Sequence, residues 1–332
     1  MAKKSNKHCN IPIFIPQQAC PHQCIYCNQR YISGQHTIPG KQEVKQTIDK
    51  YLSTAEEDTD IQVAFFGGTF TALGIEEQLS YLKTVKPYID SKRIRSVRLS
   101  TRPDYINTEI LDMLKQYNVT DIELGAQSLD DGVLQYSQRG HTVRDVTEAS
   151  NLITAYGFNL GLQMMIGLPQ DTLQKSIHTA QTIVSLKAVC TRIYPTLVIE
   201  RTPLAALYRQ GQYQPLSIEQ AVHWTKEIYK IFVKENVNVL RVGLHPSEDL
   251  LNGKGYIAGP FHPSFFELVL TELWKEKFTA LPADTQLIKV NPADINYAVG
   301  YCSSNLKYLK TVNKNIKILQ DATVDRNNFV CL

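Results

Sequence analysis

Two rhythms of apolar and polar residues alternate along this chain. Short runs rich in β-branched and aromatic residues, at 11–15, 61–66, 96–100, 121–124, 159–165 and 191–194, read as strands. Longer stretches of helical period, at 43–52, 76–88, 108–117, 143–156, 172–186 and 218–235, read as helices. Strand then helix, repeated, predicts parallel strands joined by right-handed crossovers. That is an α/β fold, built on an open sheet or on a full or partial barrel. In such folds the C-terminal ends of the strands and the loops after them carry the chemistry, so residues there weigh most. The rhythm changes after Asn236. A further strand at 239–243 runs into the turn-rich string LHPSEDLLNGKGYIAGPFHPSF, an apolar helix at 265–278, a strand at 286–290 and a lysine-bearing segment. The expected division is a core, 1–235, and a C-terminal extension, 236–332, serving as a lid or substrate-binding unit.

The 332 residues are 43% hydrophobic and 20% charged, a globular composition long enough for one large or two ordinary domains. No apolar run approaches the roughly 20 residues of a membrane-crossing helix. The N-terminal residues are basic, but IPIFIP breaks off at polar QQ, which makes a poor secretory signal, so a cytoplasmic location is expected. The formal net charge of +3 is too small to mark a nucleic-acid binder by electrostatics alone.

Cysteine changes the picture. Of seven cysteines, Cys20, Cys24 and Cys27 fall together as C-x3-C-x2-C in ACPHQCIYCNQR, directly after the first strand; Cys9, Cys190, Cys302 and Cys331 are scattered. An odd number with a tight cluster is no disulfide framework and points to metal ligation. Two sites fit these residues. One is a cubane [4Fe–4S] cluster with a thiolate on each of three irons and the fourth iron open. The other is zinc held by the three cysteines and His22, although closed zinc sites usually draw on two separated pairs. Cys190, Cys302 and Cys331 lack ligand spacing for a second cluster. After the strand at 61–66, Gly67 and Gly68 in VAFFGGTFT would let the backbone approach a ligand and offer its amide and carbonyl groups.

The cysteine spacing is the signature of the radical S-adenosylmethionine (SAM) superfamily, which the chain resembles there. The resemblance implies a [4Fe–4S] cluster whose free iron chelates the amino and carboxylate groups of SAM. Reductive cleavage of SAM then gives methionine and a 5′-deoxyadenosyl radical that abstracts hydrogen from substrate. It also implies an electron donor, either a reductase or a flavodoxin- or ferredoxin-type protein. Further strings, GGTFT, STRPDYI, ELGAQSLDD, QRGHTV, LQMMIGLP and RIYPTLVIERTPL, arrive in the order of the radical SAM domain of the elongator catalytic subunit. A more distant likeness is to oxygen-independent coproporphyrinogen oxidase. The strings cover about 11–214 and imply a partial (β/α)6 TIM-like barrel with a small C-terminal α+β extension. By this resemblance Tyr26 packs near the adenine, Gly67, Gly68 and Thr69 hold the methionyl amino group, and Gln127 and Arg139, twelve residues apart, bind SAM. Ser100 departs from the pattern, standing where relatives carry a glutamate. A serine can hydrogen-bond but supplies no charge. Arg102 and Asp104 flank a proline and are placed to pair locally.

Elongator relatives continue into an acetyltransferase domain, whereas fewer than 100 residues follow position 235 here, without a glycine-rich CoA loop, so acetyl transfer is not expected. Tyr194, Glu200 and Arg201 follow the sixth strand, and His245 and His262 sit at two His-Pro steps in loops; these are candidates to face substrate. Lys307, Lys310, Lys314 and Lys317 would make one basic stripe on a helix, able to touch phosphate. Elongator likeness implies a substrate linked to RNA modification; coproporphyrinogen-oxidase likeness implies a small metabolite or tetrapyrrole. A non-catalytic iron–sulfur or zinc scaffold would need the cysteines but not Gln127, Arg139 or GGTF.

Overall fold

A computed structural model of the protein describes residues 8–16, 20, 23–33, 37–56, 58–244, 247–282, 284–312 and 316–331. The strands of the main sheet are β1 (His8–Ile15), β2 (Asp60–Gly67), β3 (Ser96–Thr101), β4 (Val119–Gln127), β5 (Asn159–Ile166), β6 (Cys190–Pro195) and, after the short β7 (Val198–Ile199), β8 (Asn238–Val242). They lie in the order β1-β2-β3-β4-β5-β6-β8, every neighbouring pair parallel. Between successive strands run α1 (Gln29–Ser33), α2 (Lys41–Leu52), α3 (Ile75–Asp90), α4 (Thr108–Gln116), α5 (Asp131–Tyr136), α6 (Val143–Ala155), α7 (Leu173–Ser185), α8 (Pro203–Arg209) and α9 (Ile218–Lys234). The sheet curls into an open half-barrel, the partial TIM-like barrel expected, but with a seventh strand: β8, expected to open the extension, pairs with β6.

A parallel sheet covered on both faces is apolar throughout. These strands alternate instead. Val63 and Phe65, Val97 and Leu99, Ile122 and Leu124, and Leu160 and Leu162 are buried in the main core with Val85, Leu111, Val146 and Ile183 of the helices. Among their sequence neighbours, Gln62, Arg98, Asp121, Glu123 and Gln163 are polar and bond to one another on the other face. Arg98 donates to Asp121 (2.8 Å) and Glu123 (2.9 Å), and Arg192 grips Glu123 through Nε (2.6 Å) and a terminal nitrogen (3.1 Å). Gln62 donates to Asp121 at 2.7 Å. In a flat sheet, strands three apart are separated by about 14 Å. Here Arg98 on β3 comes within 3.8 Å of the Cys190 sulfur on β6, three strands away, so the polar face is the concave one.

After β8 come α10 (Glu248–Leu251), β9 (Tyr256–Ala258), α11 (Phe265–Phe278), β10 (Leu287–Val290), α12 (Ile295–Val299), α13 (Ser304–Val312), β11 (Lys317–Gln320) and β12 (Phe329–Cys331). The last three strands form a small sheet, β11-β10-β12, over a separate core of Trp274, Phe278, Ile288, Val290 and Leu309. α11 packs on α9, where Glu276 pairs with Lys226 and, at 2.8 Å, with Lys230. β7 and β9 pair antiparallel as a ribbon. The expected single lysine stripe does not form: Lys307 and Lys310 lie on α13, which ends at Val312, Lys317 opens β11, and Lys314 lies outside the described residues. Among the described residues no helix is long and apolar enough to cross a membrane.

Candidate active site

The loop after β1 and the C-terminal ends of β2, β3, β4 and β5 line a pocket of about 590 Å3, counted to its open mouth. Cys20, Cys24 and Cys27 line it together with Tyr26, Gly67, Gly68, Thr69, Ser100, Gln127 and Arg139, so residues singled out between positions 20 and 139 meet in one place. Gln23, Gln29, Thr101, Arg102, Gly125 and Gln163 join them.

The cysteine side is crowded. Cys20 Sγ lies 3.4 Å from Thr69 Oγ1, and Arg139 donates to Cys24 Sγ at 3.4 Å. Burial, reinforced by repulsion from Cys24 and Cys20, pushes the Cys27 thiol up to about 12. Iron ligation takes the thiolate, so loading such a site releases protons. Among the described residues no three His, Cys, Asp or Glu side chains converge on one ion. Three sulfurs on one zinc would lie within about 4 Å of one another. Three thiolates from one loop are the donor set that a cubane with one open iron takes, whereas a closed zinc site needs a fourth ligand, and His22 lies outside the described residues.

Facing the cysteines is a side with unmet hydrogen-bonding capacity. Arg139, buried at the end of the turn after α5, donates to Gly125 O (2.8 Å), yet its Nε has no partner among the described residues. Burial works against its charge, but attraction from Tyr26 and Cys24 outweighs this and holds its pKa above the ordinary value. Arg102, also buried, grips Asp104 through two 2.9 Å bonds, as the local pairing anticipated, and leaves one terminal nitrogen without a partner among the described residues. Gln127 stands at φ +65° at the end of β4, its Oε1 buried and without a partner among the described residues. A non-glycine residue in the left-handed region and buried polar atoms without partners each cost energy, and such features gather where a ligand completes the structure. Two guanidinium donors and one amide acceptor match the carboxylate and ammonium of an amino-acid ligand. Gly125 makes this packing possible: a Cβ there would lie 2.8 Å from a terminal nitrogen of Arg139 and 2.9 Å from Gln127 Nε2.

Gly67 and Gly68 have a different first duty from the one expected. Gly67 sits at φ +112°, and a Cβ on it would come within 2.4 Å of Ile15 O. The Gly68 amide donates to that same carbonyl at 2.7 Å, and Gly67 O accepts from Gln29 Nε2 at 2.6 Å. The glycine turn therefore docks β2 against β1 and the cysteine loop, which occupies two backbone groups expected to serve the ligand. The floor was also not visible in the sequence. Gln163, read as part of an apolar strand, donates to Ser100 Oγ (3.2 Å) and Glu123 Oε2 (3.0 Å). The carboxylate missing at position 100 thus has a counterpart directly opposite on the neighbouring strand, with its charge already matched by Arg98 and Arg192.

The substrate-facing candidates stay outside this lining. Tyr194 sits on the concave face beside Arg192, half-buried. Glu200 pairs with Arg209 at 2.9 Å, and Arg201 is exposed at φ +59°. His262 accepts from the Ser264 amide (3.0 Å) and meets Tyr301 edge-on at 5.2 Å between ring centres. His245 lies outside the described residues. The RIYPTLVIERTPL segment turns back onto the cysteine loop: Leu204 N donates to Ile25 O (2.8 Å), and Asn28 Nδ2 to Glu200 O (3.2 Å).

Residues 14–183 match the Radical SAM superfamily, and residues 189–275 match the Radical_SAM C-terminal domain. The tRNA uridine(34) acetyltransferase of Methanocaldococcus jannaschii is 26% identical over 252 residues, which cover 64% of this chain and 47% of that protein. Heme chaperone HemW of Bacillus subtilis is 28% identical over 256 residues, 70% of this chain and 64% of that one. Elongator complex protein 3 of Homo sapiens is 25% identical over 218 residues, 60% and 38% respectively. The solved structure of Methanocaldococcus infernus Elp3 with an N-terminal deletion shares the fold, with a TM-score of 0.64 at 20% identity over 84% of this chain and 65% of that one. The chain spans about half the length of the curated acetyltransferases it matches.

Proposed function

This chain belongs to the radical SAM superfamily, and on that premise we propose that its pocket holds a [4Fe–4S] cluster on Cys20, Cys24 and Cys27, with SAM against Tyr26, Gly67, Gly68, Thr69, Ser100, Gln127 and Arg139. The observation that carries this reading is Arg139, a buried cation donating to a cysteine sulfur, whose Nε, like Gln127 Oε1 in the same pocket, has no partner among the described residues. When bound, the cluster and SAM supply a one-electron reductive cleavage at the sulfonium that leaves a radical on C5′, able to take hydrogen from a substrate. The chain's own residues hold and orient. Arg139 and the spare nitrogen of Arg102 meet the carboxylate, Gln127 Oε1 accepts from the ammonium, and Gln163 fixes the Ser100 hydroxyl. The Arg98–Glu123–Arg192 lattice beneath is already satisfied and keeps that floor rigid. A flavodoxin- or ferredoxin-type protein, or a reductase, serves as electron source.

The substrate reading is a nucleoside of RNA or its precursor, because several similar proteins are named for uridine 34 of tRNA. Likeness in the segment after β6 no longer adds to it, since that segment braces the cysteine loop. A tetrapyrrole or other small metabolite is favoured by one observation, the match to a heme chaperone over more of both chains. Deuterated RNA and deuterated metabolites, offered separately to the reduced protein, separate the two. Deuterium in 5′-deoxyadenosine from the RNA fraction is expected; label from the metabolite fraction alone would overturn the RNA reading.

A further inference from the structure

The cysteine loop is held from outside by two segments far along the chain. Cys24, Ile25 and Tyr26 share one apolar cluster with Leu168, Val198 and Leu204, and Cys27, Ile257 and Ala258 pack against it. Val198 and Ala258 are register partners across the β7–β9 ribbon, and Glu200 N donates to Gly255 O at 2.7 Å beside it. The ribbon's other contacts seat it firmly. Ile199 and Tyr256 pack with Tyr31 and Ile32 of α1, which follows the last cysteine. Gly255, at φ +72°, lies so close to Tyr31 that a Cβ would come within 2.4 Å of its ring.

We propose that this ribbon is the outer wall of the cluster site, and that Val198, Ile257 and Ala258 set the cluster's reduction potential and its lifetime in air by keeping water from Cys24 and Cys27. The inference rests on the cluster assignment above and deepens it. Reduction adds a negative charge to a cluster already carrying three thiolates. An apolar wall disfavours the more highly charged state and lowers the potential, whereas a polar group or water at the wall raises it. Oxygen and water reach the irons by the same route. β9 lies in the region expected to be a lid over substrate, yet it shares apolar clusters with the cysteine loop and with α1, so the C-terminal part of the chain bears on electron acceptance.

The test uses full-length protein reconstituted anaerobically, comparing wild type with Ile257→Asn, Ala258→Ser and, as a control on the exposed face of the small sheet, Leu319→Asn. The readouts are the midpoint potential from a redox titration followed by electron paramagnetic resonance, loss of cluster absorbance in air, iron per chain and thermal melting. Both ribbon variants should titrate at higher potential and bleach faster, Ile257→Asn by roughly tenfold. Iron content and melting should stay near wild type, and the control should match wild type throughout. Wild-type potential and air lifetime in both ribbon variants would overturn the proposal; should Ile257→Asn fail to fold, Ala258→Ser decides. A wild-type protein that takes up no cluster defeats the assigned function itself, so the two failures read differently.

Discussion

Glu123 shows what one buried charge does in this fold. It is 2% exposed and lies between Arg98 and Arg192, with Gln163 above it. Removing one member of such a set strands the others in a medium that solvates them poorly. Glu123→Ala is therefore expected to lower unfolding stability by about 3–5 kcal/mol in urea titration, with Glu123→Gln losing less because its amide still accepts. A loss within experimental error of zero would mean that water reaches the arginines. At this scale the sequence singled out the cysteines by their spacing and Gln127 and Arg139 by family resemblance, residues that the fold brings to one pocket. It was mute about Gln163 and Glu123, because their roles depend on which face of a strand they occupy and on how sharply the sheet curves.

The longer elements were legible because their period outlasts local noise. The stretch read as strand at 61–66 is Asp60–Gly67, and the helix read at 218–235 is Ile218–Lys234. Short elements escaped, among them α5, α8 and β12, and also β7 and β9, of two and three residues, whose pairing is a tertiary fact with no periodic signature. The α9–α11 junction offers a test at this scale. Hydrogen bonds from Lys226 and Lys230 hold the Glu276 carboxyl at about 2. Its folded pKa lies below the ~4.3 of an unfolded glutamate, so its contribution is complete above that value and fades as pH falls from there toward 2. The side chain is 44% exposed, which screens the pair. Glu276→Gln should accordingly cost about 1 kcal/mol, less in high salt, and the difference from wild type should vanish near pH 2. A difference that persists there would assign the effect to packing.

Across the whole molecule, the half-barrel gathers loops from positions 20 to 163 at one mouth, and the C-terminal part returns twice, as α11 on α9 and as β9 over the cysteine loop. The barrel was foreseeable from the strand–helix rhythm. The allegiance of 238–242 was not, because a short strand reads the same whether it extends the main sheet or begins a new unit; only its register with β6 decides. The central claim is that the three cysteines and the polar pocket beside them work as one redox site, and its most direct test is 5′-deoxyadenosine formed by anaerobically reconstituted, reduced protein supplied with SAM. Wild type should form it and Cys24→Ala should not. Iron-loaded wild-type protein that leaves SAM intact, or Cys24→Ala protein that cleaves it as well as wild type, would contradict the claim.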